Sequence, residues 1–172
     1  MAFDTYLKLD GGSTPVDGES TRAGFEKWIE IYSFSWGASN PTTVGTGATG
    51  LSAGKVSVSS FNIMKKTEAS SPHLFAACCE GTHFAKATVI MNKASGEKTA
   101  ALKFLTYTFT NVMVESVQWS GSSGGDDTPT ESVSFAFGKV DIMYVQQSSE
   151  KGGQSKNIGA SWDLTKAAAS TS

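Results

Sequence analysis

The chain has 172 residues and a mass of 18.1 kDa, room for one core and too little for two full domains. Charged residues make up 17% of it, glycine contributes 18 positions and the net charge is -2; against roughly 25% charge and 7% glycine in an average soluble chain, this disfavours a helical bundle and favours β-structure with many turns. No basic stripe is present to hold nucleic acid, and the longest apolar run, Leu74 to Cys79, is far short of the roughly 20 residues of a spanning helix.

Phe3 to Asp10 reads as a strand closed by Gly11-Gly12, and a turn-rich stretch runs from Ser13 to Thr21. Glu26 to Trp36 reads as one strand, with Trp28, Tyr32, Phe34 and Trp36 on one face and Ile29, Ile31, Ser33 and Ser35 on the other. Apolar residues on both faces suit a sheet covered on both sides. In a chain this small, the second cover is expected to be another subunit.

Ala38 to Gly54 holds four glycines and a single large apolar residue, Leu51. It cannot bury a core of its own, and a loop of this length is usually functional or disordered. Lys55 to Lys66 is strand-like, with Val56 and Val58 in phase and Phe61 and Ile63 out of phase, so a β-bulge is expected at Ser59-Ser60. One stretch reads as helix. Ser71 is its expected cap, Pro72 suits its first position, Leu74, Phe75 and Cys78 share a face, and Gly81 stops it. Strands are then expected over Phe84 to Asn92, Leu102 to Thr110, Met113 to Ser120, Glu131 to Gln146 and Asn157 to Leu164, with a kink at Gly138. The tail from Lys166 to Ser172 is expected to fray. Many kinked strands and one short helix describe an all-β fold, a single barrel of two packed sheets over residues 1–172.

Two motif strings lie in the long loop. Gly45-Thr46-Gly47-Ala48-Thr49-Gly50 matches GxGxxG, but a pyrophosphate needs a helix N-terminus after the turn, and here a strand follows. Gly50-Leu51-Ser52-Ala53-Gly54 matches GxSxG, yet a nucleophile elbow also leads into a helix. Only His73 and His83 could serve as its base, and neither stands in the usual order. Short strings of this kind are expected in a glycine-rich segment. For metals, His73, Cys78, Cys79 and His83 have no zinc spacing, and Asp126, Asp127 and Glu131 lack the alternating oxygens of a calcium loop. Cys78 and Cys79 are neighbours, about 3.8 Å apart at Cα and too close for an ordinary disulfide; they read as small residues of one helix. No catalysis, cofactor or metal is expected.

The start Met1-Ala2-Phe3-Asp4-Thr5-Tyr6-Leu7-Lys8-Leu9, the Gly18-Glu19-Ser20 turn, Ser33-Phe34-Ser35-Trp36-Gly37, Gly54-Lys55-Val56 and Ser71-Pro72-His73-Leu74-Phe75-Ala76-Ala77-Cys78 resemble the Hcp (haemolysin-coregulated protein) family of bacterial type VI secretion. Ser122-Ser123-Gly124, Pro129-Thr130-Glu131-Ser132-Val133 and Tyr144-Val145-Gln146-Gln147 extend the resemblance, in order, to about Gln147. Apart from the Gly18-Glu19-Ser20 turn, Ser13 to Phe25 and the tail after Glu150 match nothing in the family's pattern.

The resemblance implies a β-barrel subunit that forms a homohexameric ring, rings that stack into the inner tube of a contractile device, and export by that device without a cleaved signal. It also implies effector proteins carried and protected in the ring lumen, and contacts with the spike protein, the contractile sheath and the baseplate. The N-terminal residues show no signal peptide, so folding in the cytoplasm before secretion is expected. The region after Gln147 has too few apolar residues for a second core.

On this reading Ala38 to Gly54 is a mobile arm that orders against the next ring, with Asn40, Thr43, Val44, Thr46, Leu51 and Ser52 as candidate stacking residues. Disorder before assembly would restrain tube growth, since ordering costs about 1 to 2 kcal/mol per residue; a plain flexible loop is the alternative. Ser33 and Ser35 are candidate lumen-facing residues, the alternative being serines buried in an interface. A phage-type tail-tube subunit, a monomeric secreted binding module and a serine hydrolase resting on Ser52 are the competing readings, the last of them disfavoured by the motif context.

Overall fold

In the first strand, β1 (Phe3–Asp10), Thr5, Leu7 and Leu9 are buried on one face, as the alternation of the sequence requires. The computed structural model describes residues 3–45, 50–93, 102–125, 128–147 and 154–169. Its other strands are β2 (Ile29–Ile31), β3 (Ser33–Ser35), β4 (Ala38–Ser39), β5 (Thr42–Val44), β6 (Leu51–Ala53), β7 (Ser57–Val58), β8 (Phe61–Lys66), β9 (His83–Lys93), β10 (Leu102–Ser120), β11 (Thr130–Gln147) and β12 (Gln154–Asp163). A single helix among the described residues, α1 (Ser70–Glu80), joins β8 to β9.

The main sheet runs β2-β1-β9-β10-β11-β8-β3, with β12 added on β11. All its pairs are antiparallel. Its two ends, β2 and β3, are separated only by Tyr32, whose amide donates to the Met64 carbonyl at 2.9 Å. The ends of the path therefore meet, and the sheet curls into a barrel.

Glu26 to Trp36 is thus not one strand. Ile29 and Ile31 face the core, the phase slips at Tyr32-Ser33, and Phe34 and Trp36 then face the same core. Its apparent two-sided apolarity comes from this slip and not from a doubly covered sheet. Trp28 belongs elsewhere, packed on a satellite cluster of Tyr6, Phe25 and Ile90 beneath loop 18–28.

Two of the expected strands are one. β10 continues through Asn111, at φ 56°, and carries a bulge between Val114 and Ser116. Gly138 of β11 lies against Asn111, and the buried phase of β11 changes there from Val133 and Phe135 to Val140, as a kink requires. The outer edge of β11 is shared by β8 along its first half and β12 along its second. Ser59-Ser60 is a break rather than a bulge within one strand: β7 leaves to pair with β4, while β8 stays in the barrel. Ser59 fixes the departure point, its hydroxyl and amide bonding to the backbone of Gly37.

The core is aromatic around Phe109, whose ring lies 4.8 Å from Phe61, 4.6 Å from Phe137 and 5.5 Å from Trp36. Leu74 and Ala77 of α1 join it. The helix stops at Gly81, in the left-handed conformation at φ 67°, as expected. Its start differs from expectation: Ala69 holds the cap position, and Ser71 lies within the helix, buried. Phe75 points away from the core and meets Trp119 at 5.6 Å, so it does not share the face of Leu74.

Beneath the helix start, Lys65 and Glu131 are both wholly buried, with Nζ 2.6 Å from Oε1. The Ser71 hydroxyl donates to that same oxygen at 2.9 Å, and Lys65 also donates to Ser71 Oγ and to the Lys66 carbonyl. This cluster ties α1 to β8 and β11.

Candidate functional site

Ser33 and Ser35 are exposed on the outer face of β3. Strand register extends their row across the neighbouring strands. Ser35 stands beside Asn62 of β8, Asn62 beside Ser134 of β11, and Ser134 beside Ser116 of β10. In the next row are Ser33, Met64, Ser132 and Gln118, and in a third Lys66, Thr130 and Ser120.

These rows make a face of hydroxyls and amides with one charge, Lys66, and one large apolar side chain, Met64. The Ser134 hydroxyl donates to Asn62 Oδ1, and the Ser120 and Thr130 hydroxyls lie 3.2 Å apart. Such a surface holds water readily and presents no deep feature. The two serines were legible in the sequence. Their neighbours on β8, β10 and β11 were not, because register alone brings them together.

A second outer face, over β1, β9, β10 and β11, carries the row Lys8, Thr88, Thr108 and Asp141. The row beside it is Asp10, Lys86, Thr110 and Lys139. It too is rich in hydroxyls, but it is charged.

The arm is a paired structure wherever it is described. β5 and β6 form a ladder with Thr43 opposite Ser52 and Val44 opposite Leu51, and β4 and β7 form another at its base. Gly54 donates to the Pro41 carbonyl at 2.7 Å, and a Cβ on Gly54 would lie only 2.6 Å from that oxygen; this close approach requires glycine. Val44 is 76% and Leu51 71% exposed, so the hairpin offers an apolar pair with no cover in the monomer. Asn40 is exposed between β4 and β5. Thr46 lies outside the described residues. At the arm's base, Trp36, Val56, Val58, Ile142 and Trp162 line an apolar groove of about 300 Å³ beside β12.

Ser52 sits in the middle of β6 and the chain runs on into β7, so the strand-to-helix elbow that would activate it is missing. The GxGxxG string likewise lies between β5 and β6 with no helix after it; its residues 46–49 are outside the described residues. Among the described residues, no three of histidine, cysteine, aspartate and glutamate are grouped to hold a metal, and Asp126 and Asp127 are not described. Cys78 is half-buried and Cys79 exposed. No described helix is long and apolar enough to cross a membrane.

Beyond the third row opens a polar cleft of about 650 Å³, with Tyr32 and Lys66 on one side and Glu19, Arg22, Glu30 and Glu68 around it. Arg22 is committed within it, bonded to the Asp4 carboxylate. Its hydrogen bond to the Tyr6 phenol raises the guanidinium further above its ordinary value, while burial pushes that phenol up against the opposing pull of Arg22. Glu19 and Glu68 are also committed: each accepts a backbone amide, from Ala69 and Glu19 respectively.

A sequence profile of the family described as "Type VI secretion system effector, Hcp" matches residues 6–144. The protein hcp1 of Pseudomonas aeruginosa is 32% identical over 164 residues, spanning 95% of this chain and 96% of that protein. A solved structure of a type six secretion system protein superposes with a TM-score of 0.88 at 37% identity, over 98% of this chain and 100% of that one. Hcp1 from Salmonella typhimurium gives a TM-score of 0.74 at 31% identity, over 98% and 99% of the two chains.

Proposed function

The chain belongs to the Hcp family of type VI secretion, a family of structural, secreted tube proteins and not of enzymes, and from that premise we propose that it is the subunit of a homohexameric ring whose stacked copies form the inner tube of the apparatus. On this reading the ring folds in the cytoplasm, carries and protects effector proteins in its lumen and is itself exported through the apparatus. Its further contacts are the spike protein, the contractile sheath and the baseplate.

The observation that carries the reading is the serine-rich face. Ser33, Ser35, Asn62, Ser116, Gln118, Ser132 and Ser134 tile two adjacent rows across four strands with small neutral groups. Repeated around a ring, such a face gives a smooth wet wall past which differing cargo can slide. The uncovered Val44-Leu51 pair and the Trp36-Trp162 groove supply apolar area for contacts between copies. We assign the arm to contacts between stacked rings.

The test has two stages. Light scattering on the purified chain is expected to give six times the 18.1 kDa monomer mass; a monomer overturns the ring. In a ring that forms, Ser35→Gln is expected to lower retention of a co-expressed effector while assembly is kept. Unchanged retention in an intact ring overturns the lumen assignment.

A further inference from the structure

The serine face is uniform except at one rim. There Tyr32, Met64 and Lys66 stand together: Met64 and Lys66 are two apart on β8, the Lys66 ammonium lies 5.7 Å from the centre of the Tyr32 ring, and the Tyr32 amide bonds to Met64. Tyr32 is 57% and Met64 46% exposed. Both large apolar groups lie open amid hydroxyls: the register partners of Met64 are Ser33 and Ser132.

Lys66 makes no ion pair among the described residues, unlike Lys8, Lys27, Lys65 and Lys139. Of the carboxylates around the adjoining cleft, Glu19 and Glu68 each accept a backbone amide, and Glu30, two residues before Tyr32 on the neighbouring β2, is not ion-paired with Lys66. Glu115 sits at the β10 bulge, beyond β11. A cation fixed over an aromatic ring and lacking an acid is complementary to a carboxylate. A neighbouring methionine, unbranched and polarizable, adapts to many apolar side chains.

We propose that Tyr32, Met64 and Lys66 form a grip for cargo, taking a polypeptide segment in which an apolar side chain is followed closely by an acidic one. The apolar side chain rests on Met64 and Tyr32 and the carboxylate meets Lys66. The rest of the face, being neutral, adds little selectivity. The proposal deepens the cargo role above and rests on it, but all three residues lie in one subunit, so binding can be read whether or not rings form.

The probe is a fluorescein-labelled peptide of Gly-Leu-Glu-Ser repeats, followed by anisotropy on the full-length protein, with repeats carrying lysine for glutamate or serine for leucine as controls. The expected result is that the leucine-glutamate peptide binds and both controls bind more weakly. Met64→Ser and Lys66→Gln are each expected to weaken it about fivefold, and Lys66→Gln alone to remove most of the salt dependence. Absence of binding by the leucine-glutamate peptide, equal binding of the lysine control, or a loss confined to one of the two variants overturns the proposal. Both side chains are exposed, so circular dichroism and solution mass are expected to be unchanged. If either variant dissolves a ring that the parent chain forms, the occupant of this patch is a second copy, and the cargo grip falls while the ring stands.

Discussion

Lys65 and Glu131 are the residues whose placement the composition least foretells, since two ionised groups occupy the buried layer beneath a helix. A buried pair of this kind stabilises modestly as a pair, yet removing one partner leaves the other charged and uncompensated. Lys65→Met is therefore expected to cost about 3 to 5 kcal/mol in urea unfolding with the slope unchanged. The double variant Lys65→Met with Glu131→Leu is expected to recover most of that loss. A single variant as stable as the parent would show that Glu131 finds another partner. Asp163 gives a gentler, pH-dependent case at the end of β12. Its Oδ1 accepts the Thr165 hydroxyl and the Thr165 and Lys166 amides, and the hydroxyl bond is the main reason its carboxyl lies below the usual aspartate value. A lowered folded-state value means that the turn's contribution is complete above the unfolded value and is lost as pH falls through the lowered one. The protection of the Thr165 and Lys166 amides, their exchange taken relative to the unstructured rate at the same pH, is expected to fall as pH drops through that acid window and to stay flat above it. Asp163→Asn is expected to remove the pH dependence.

At the scale of elements, the arm shows what residue pattern can and cannot convey. Its glycines and hydroxyls rule out a core, and that much is legible from Ala38 to Gly54. The hairpin is not, because β5 and β6 are only three residues each and are held by register and by the Gly54 to Pro41 approach. Their pairing places Val44 beside Leu51, two residues that are seven apart in the chain. If the arm joins rings, Val44→Asp with Leu51→Asp is expected to leave single rings intact and abolish stacking, as seen by electron microscopy of the concentrated protein. Stacks that persist in the double variant would assign the arm elsewhere. The helix was legible for a different reason: Gly81 is a strong local stop and a left-handed cap. Its start was not, because Ser71 spends its hydroxyl on Glu131 and on the Glu68 amide instead of on a cap.

For the whole molecule, if the chain forms the proposed ring, two outer faces compete for its wall. The face over β3, β8, β11 and β10 bears one charge in its rows, and the face over β1, β9, β10 and β11 bears several. Bulky substitution separates them: if the serine face is the lumen, Ser35→Gln lowers effector retention and Thr108→Gln leaves it intact, both in assembled rings. The reverse pattern would place the threonine face inward. The low overall charge takes on a physical meaning here. Neutral groups are concentrated in rows on sheet faces, and few of them are apolar; the uncovered apolar area lies instead at the arm and in the groove beside β12.

The sequence by itself determined the class of fold, a helix and its stop, the kink at Gly138, and the family through an ordered set of short segments. These are local or additive properties, readable from period, glycine and spacing. Tertiary structure alone decided which faces the strands present. The slip at Tyr32-Ser33 moved Phe34 and Trp36 to the inside, and antiparallel register assembled the serine rows from four strands as distant as Ser35 and Ser134. Sheet register is a long-range choice, and a one-residue shift exchanges every side chain between core and solvent.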